Sequence, residues 1–331
     1  MGKTIKHFFK FLAFNIIVIV IFLFLFEIGL RLFWRMSSLK GEIYRKSANK
    51  ILRYELKPNT KTTYENQEVK INSDGFRNRE CTLQKLENTY RIVVLGDSVA
   101  FGRFNPPTDN LARRLEAALK KICPQNNFEV LNMGIEGYNT IQEEEMLKVK
   151  ALKYNPDMVI VYYCLNDPDY PEYYFEKNFF NRHFLFVRYV NYRMKKHRIK
   201  KDRIRKHVKT DEENINYLYN TECWQYTKKA LLEMGDITAA RRVKMVLLIF
   251  PEMSMQVENF REGFPFWYII EMLEAVRHPN ITVIAPVREF SHRNLHKDEL
   301  TNWTYPNLKA TDVIVEYAIQ EMQKHNINFC N

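Results

Sequence analysis

The sequence predicts an α/β protein carried behind an N-terminal transmembrane helix. Three observations lead there. Between residues 91 and 324, short runs rich in Val, Ile and Leu alternate with longer stretches of helical composition. One uninterrupted apolar run occupies residues 11–30. Hydrophobic residues make up 46% and charged residues 27% of the chain, which excludes a disordered or low-complexity protein.

The apolar run comes first. Residues 11–26 read FLAFNIIVIVIFLFLF, with Asn15 the only polar side chain. Extended to Leu30 it reaches twenty residues, about 30 Å as a helix and enough to cross a bilayer core. A cleaved signal peptide has a shorter apolar core of about 7–15 residues, and no small-x-small site follows this one. With no polar face, a buried soluble helix is disfavoured too. We therefore expect residues 1–34 to form a tail and uncleaved anchor. Lys3, Lys6 and Lys10 precede the run, and Arg31, Arg35, Lys40, Arg45 and Lys46 follow it, so the flanking charges leave orientation open. The hydrophobic N-terminal signal itself favours a single-pass protein with a short cytoplasmic N-terminus and an extracytoplasmic body.

Residues 35–90 are polar, with turn signals at Pro58, Asn59 and Asp74-Gly75. They read as a stalk plus a lead-in packed against the sheet of the body, which spans 91–326. Five apolar runs in the body suit strands buried on both faces: Arg91–Gly96, Val130–Met133, Met158–Cys164, Lys244–Phe250 and Ile281–Ala285. Helices are expected between and after them at Asn110–Ile122, Thr140–Leu152, Trp224–Arg242, Phe266–Val276 and Pro306–Lys324. Strand and helix in repeated alternation predict a flavodoxin-like, three-layer αβα fold with a central parallel sheet of about five strands. Residues 168–220 interrupt the alternation as an insert, first aromatic (Tyr170 to Phe180) and then strongly basic. Its place after a strand's carboxyl end makes it a candidate lid.

Charge sorts the partners. The chain holds 50 Lys+Arg against 39 Asp+Glu, net +11. Residues 1–50 carry +7 of this and residues 193–209 carry +9, leaving the remainder mildly acidic. Residues 11–30 thus point to the membrane, and 193–209 to an anionic lipid surface or an acidic glycan. No recognition motif accompanies the charge, so nucleic acid is not expected. The oligomeric state is not readable. The five cysteines are scattered with no CxxC spacing, so a disulfide framework is not expected, and one long-range pair stays open. Neither a phosphate loop, a dinucleotide fingerprint nor a metal-ligand cluster is present, and no cofactor and no metal are expected.

In an open parallel sheet, ligands bind at the carboxyl ends of the strands. Four segments fall there: Leu95-Gly96-Asp97-Ser98-Val99-Ala100-Phe101-Gly102, Asn132-Met133-Gly134-Ile135-Glu136-Gly137-Tyr138-Asn139, Cys164-Leu165-Asn166-Asp167-Pro168, and Asn302-Trp303-Thr304-Tyr305-Pro306-Asn307 before the last helix. Taken singly each reads as a turn or a helix cap. Together, over roughly residues 55–325, they resemble the SGNH/GDSL hydrolase family, in particular its membrane-anchored bacterial branch. The lead-in Lys70-Ile71-Asn72-Ser73-Asp74-Gly75-Phe76-Arg77 belongs to the same resemblance.

The resemblance implies that Ser98 is the nucleophile, and that the Ser98 and Gly134 N–H groups with the Asn166 amide form an oxyanion hole. One such donor is typically worth about 3–4 kcal/mol of transition-state stabilisation. It also implies an ester hydrolase or acyl transferase, here acting on O-acyl groups of an envelope glycan or lipid. Three positions depart from the family pattern. Cys164 stands where the family often has Gly. The family's Asp-x-x-His block is replaced by Asn302-x-x-Tyr305, with Pro306 and Asn307 holding the register. Tyrosine, with an ordinary pKa of about 10, is a poor proton acceptor near neutral pH, and loss of triad members typically costs on the order of 10⁴ to 10⁶ in rate. His292, three residues after Glu289, is the stand-in base the sequence offers, against a plainer reading as a surface residue. The alternative to an active enzyme is a degenerate member that binds an acylated ligand or serves an envelope complex.

Overall fold

The computed structural model describes the chain outside residues 1, 37–42, 65–66, 107, 169–183, 185, 188–189, 192, 195–196, 199–200, 202–209, 254–258, 303–304 and 331. Two compact units result, one of residues 1–40 with 171–207, the other of residues 41–170 with 208–331.

The larger unit is built on a five-stranded sheet of β5 (Thr89–Gly96), β6 (Asn127–Asn132), β7 (Met158–Tyr163), β8 (Lys244–Ile249) and β9 (Ile281–Ile284). The order is β6-β5-β7-β8-β9, with every neighbouring pair parallel. All six residues of β7 are buried, as a central strand covered on both faces requires. Flanking helices form two groups, α3 (Leu111–Ile122) against α9 (Leu308–Lys324) and α4 (Thr140–Val149) against α6 (Glu222–Ala240). Between them the three-layer αβα architecture is complete.

Several helix starts follow side-chain caps. Asn110 accepts the Arg113 N–H ahead of α3, and Asn139 and Gln142 form a reciprocal capping box on α4. The last helix begins two residues later than the sequence suggests, because Asn307 caps it by accepting the Ala310 N–H.

From Ile43 onward the stretch read as stalk and lead-in is folded. Two hairpins occupy this stretch, β1 (Tyr44–Lys46) with β2 (Tyr54–Leu56) and β3 (Lys61–Tyr64) with β4 (Gln67–Lys70). Ile43, Leu52, Leu56, Val69, Ile71 and Phe76 are buried in the same core as the sheet. Strands of three or four polar-rich residues leave too short an alternation to register in a sequence. The lead-in has a specific task as well. The buried Arg77 guanidinium donates to the carbonyls of Phe101 (3.1 Å), Gly102 and Asn105 (2.8 Å), clasping the segment just after the first sheet strand of the body.

Cys123, which follows α3, pairs with Cys330 near the C-terminus, Cα to Cα 5.6 Å, so the long-range pair left open by the sequence is a disulfide. Within the insert region, α5 (Asp211–Tyr219) belongs to the larger unit, capped by a Thr210–Glu213 box.

The smaller unit holds α1 (Gly2–Met36). Residues His7–Gly29 have a mean hydropathy of 2.8 and are long and apolar enough to cross a membrane. Phe186 of the insert packs on this helix. Its N–H donates to Glu27 Oε2 at 2.8 Å, and its ring meets Phe26 edge-on at 5.4 Å. The aromatic run Tyr170 to Phe180 and most of the basic run 193–209 lie outside the described residues.

Candidate active site

Strand β5 ends in a turn that only glycine permits. Gly96 has φ +153°, and a Cβ there would meet the Ala100 Cβ at 2.6 Å and the Tyr162 carbonyl at 2.8 Å. The chain then enters the four-residue helix α2 (Ser98–Phe101), capped by Asp97, whose Oδ1 accepts the Val99 N–H at 2.8 Å. Gly102, at φ +78°, closes the helix. Ser98 is thereby held half-buried at the head of α2, at the carboxyl end of the sheet.

A cavity of about 270 Å³ sits there. Ser98, Asn166 and Tyr305 line it, and so do Asp97 and Cys164. Asn166 is exposed, and its side chain makes no hydrogen bond to another described residue. Tyr305 lies on β11 (Tyr305–Pro306), which pairs with β10 (Thr301–Asn302) so that Asn302 and Tyr305 stand opposite each other. The Tyr305 hydroxyl donates to Ser98 Oγ at 3.1 Å, and its ring packs edge-on against Phe104 at 4.7 Å. Burial pushes the Tyr305 phenol above its ordinary range, so this group stays a donor at neutral pH. Of Asn302 the structure describes the backbone.

Gly134 is placed differently from the oxyanion donor that the resemblance implies. It lies buried beneath α2, outside the cavity lining, and its N–H donates to Asn132 Oδ1 at 3.0 Å. A Cβ there would meet Phe101 N at 2.6 Å and the Ala100 Cβ at 2.7 Å. Close backbone approach accounts for the glycine at this position. His292 also falls away as a stand-in base. Its side chain is 84% exposed at the end of α8 (Val287–His292), 3.9 Å from Glu289, and it does not line the cavity. An i,i+3 pair on a surface helix needs no further role.

The cavity also holds groups that the four segments did not flag. Asp211 and Asn214 come from α5, and Glu252 follows β8. Glu252 obeys the strand-end rule already applied to the other strands, and the Pro251-Glu252 step after the fourth strand was the available signal. Asp211 and Asn214 lie in the insert region, where no periodicity announced them.

The carboxylates are electrostatically tense. Burial pushes Asp97 up to about 6, against the downward pull of its donors Val99 N–H, Cys164 Sγ–H (3.2 Å) and Ser98 Oγ–H (3.3 Å). Burial likewise raises Glu143 and Asp167 well above the carboxylate range, and Thr140 Oγ1 donates to Asp167 at 2.8 Å. Among the described residues, no group of three or more His, Cys, Asp and Glu side chains is arranged to hold a metal ion.

No family model matches this sequence, and no curated protein does. The chain is similar to several solved structures. One is TesA, 12% identical with a TM-score of 0.43 over 71% of this chain and 98% of that one. Another is a two-domain esterase active on acetylated mannans, co-crystallised with mannopentaose, 16% identical with a TM-score of 0.45 over 73% of this chain and 51% of that one. A third is a GDSL-like lipase from Bacteroides thetaiotaomicron VPI-5482, 12% identical with a TM-score of 0.39 over 73% and 92%. Likeness at this level says nothing of what the present chain acts on. What its own fold and site define is a serine presented at a strand-to-helix turn of a parallel α/β sheet, beside a polar cavity.

Proposed function

We propose that this chain is a membrane-anchored serine ester hydrolase or acyl transferase of the SGNH/GDSL type, acting on O-acyl groups of an envelope glycan or lipid. The observation that carries the proposal is Ser98 at the head of α2, half-buried on a cavity that it shares with Asn166. A hydroxyl in this position can reach an ester carbonyl, and an exposed amide beside it can donate to the oxyanion that forms. The apolar α1 supports membrane anchoring. The Cys123–Cys330 disulfide supports an extracytoplasmic body, since such bonds persist in oxidising compartments. The basic run 193–209 supports contact with an anionic surface.

A second reading has its own observation. Tyr305 donates to Ser98 Oγ from the position where the family's histidine accepts, and this favours a degenerate site that binds an acylated ligand without turning it over. Labelling with a serine-reactive fluorophosphonate separates the two. Labelling of the wild type that is lost in Ser98→Ala supports the enzyme. No labelling of the wild type, or equal labelling of both, refutes it in favour of the binder.

A further inference from the structure

We infer that Asp97 is the general base of this site, taking the Ser98 Oγ proton that a histidine takes in other serine hydrolases. The inference rests on the ester-hydrolase reading above. Its first support is donor and acceptor geometry. The Ser98 hydroxyl has one proton to donate and lone pairs to accept with. Tyr305 Oη donates to Ser98 Oγ at 3.1 Å, so this oxygen already accepts there. The Ser98 proton is directed the other way, to Asp97 Oδ2 at 3.3 Å. The nucleophile thus stands in a chain from Tyr305 through Ser98 to a carboxylate, with the proton pointing at the carboxylate.

The second support is the environment of the acceptor. A carboxylate in water is too weak a base for this work. Buried Asp97 is held at about 6, near the ordinary 6.5 of imidazole, and a base is most effective when its pKa lies near the working pH. Among the described residues, the ionisable groups acting on Asp97 are Cys164 and Asp167 beyond β7, Glu143 of α4, Glu252 beyond β8, Tyr305 of β11, and the buried phenols of Tyr54 and Tyr162. All are neutral or anionic, and no cation among them pulls Asp97 back down.

The third support is where the departures from the family pattern fall. Cys164 donates to Asp97 Oδ1 and Tyr305 donates to Ser98 Oγ. Two of the three substituted positions thus place a donor on the Asp97–Ser98 pair, one on each residue, and so orient it. In the reaction, Ser98 Oγ bonds to the acyl carbon as its proton passes to Asp97. The protonated Asp97 returns that proton to the departing alcohol oxygen as the ester bond breaks. Water or an acceptor alcohol releases the acyl group by the same exchange in reverse.

The test is the rate of fluorophosphonate labelling against pH, with the full chain in detergent micelles. The wild-type rate is expected to rise through an inflection near pH 6. Asp97→Asn keeps the cap on Val99, and is expected to lose the inflection and to label at least about 100-fold more slowly at pH 7. Cys164→Ala removes a donor that holds Asp97 down, so its inflection moves to higher pH. This variant decides the question if Asp97→Asn does not fold. Wild-type rate and pH profile in Asp97→Asn, or an unmoved inflection in Cys164→Ala, overturns the assignment. In either case, labelling that still depends on Ser98 leaves the hydrolase reading standing. A wild type that labels at no pH removes both.

Discussion

Replacing Gly134 with alanine should damage the site without removing a single polar group. The new Cβ would lie 2.6 Å from Phe101 N, 2.7 Å from the Ala100 Cβ and 2.8 Å from the Ala100 carbonyl carbon. Two of these three atoms are backbone of α2, and the third is a methyl with no rotamer to change. Reaching an ordinary carbon contact of about 3.5 Å therefore requires α2 to shift by about 1 Å. Arg77 resists that shift through its bonds to the Phe101, Gly102 and Asn105 carbonyls. The expected loss is about 1–3 kcal/mol, the usual range for an overpacked core. A displacement of this size at a nucleophile can also cost about 100-fold in rate. Urea unfolding measures the first quantity, and fluorophosphonate labelling the second. The variant retains the Gly134 N–H, so a purely anion-binding glycine would leave both unchanged. An unfolding midpoint and labelling rate equal to wild type would refute the packing argument.

Other outcomes follow from the same geometry. Reduction of Cys123–Cys330, which lies 207 residues apart in sequence, should lower the stability of the larger unit by about 2–5 kcal/mol; identical urea midpoints with and without reductant would refute it. Asp97, Glu143 and Asp167 are all raised by burial, so the folded state holds more protons than the unfolded one above pH 4. Stability should be greatest below the unfolded carboxylate pKa of about 4. It should fall as pH rises through about 6, the value for Asp97, and the raised Glu143 and Asp167 act in the same direction. Urea midpoints at pH 5 and 7.5 check this, and a higher midpoint at pH 7.5 would contradict it. Glu143→Gln removes a buried carboxyl whose oxygens have no hydrogen-bond partner among the described residues, and should flatten that dependence; an unchanged slope between the two pH values would count against it. Finally, a chain beginning after the anchor should co-sediment with anionic vesicles more than with neutral ones, each basic residue of 193–209 near the surface adding about 1 kcal/mol. Equal sedimentation would remove the charge-driven contact.

The three inner strands β5, β7 and β8 were legible because each is largely a run of apolar residues buried on both faces, and the edge strands β6 and β9 because a shorter, partly buried apolar run marks each. Met158–Tyr163 shows the point: all six residues are buried, and all six contribute to the pattern. The five expected body helices were legible to within a few residues, while α5 and α8 were not read at all; the misplaced start of α9 came from reading Pro306 as its first turn when Asn307 does the capping. The hairpins between Tyr44 and Lys70 were not legible. Their polar strands are too short for a period to emerge, and their packing rests on single residues such as Leu56 and Val69.

The site divides along the same line. The placement of Ser98 and Asn166 on one cavity was legible because each sits at a strand end in a short string, and the absence of a histidine at position 305 could be read directly. What replaces the histidine could not. Asp97 adjoins Ser98 in the chain, and in sequence it looks like a helix cap, which it is. Its second oxygen meets the serine hydroxyl in a turn where Cys164 donates to its first oxygen and Tyr305 donates to the serine. The basicity of Asp97 is likewise a property of its burial and not of its identity. A chain of short-range contacts among Tyr305, Ser98, Asp97 and Cys164 draws on segments more than two hundred residues apart. Two of the three departures from the family pattern, Cys164 and Tyr305, are in the fold the side chains in contact with Asp97 and Ser98.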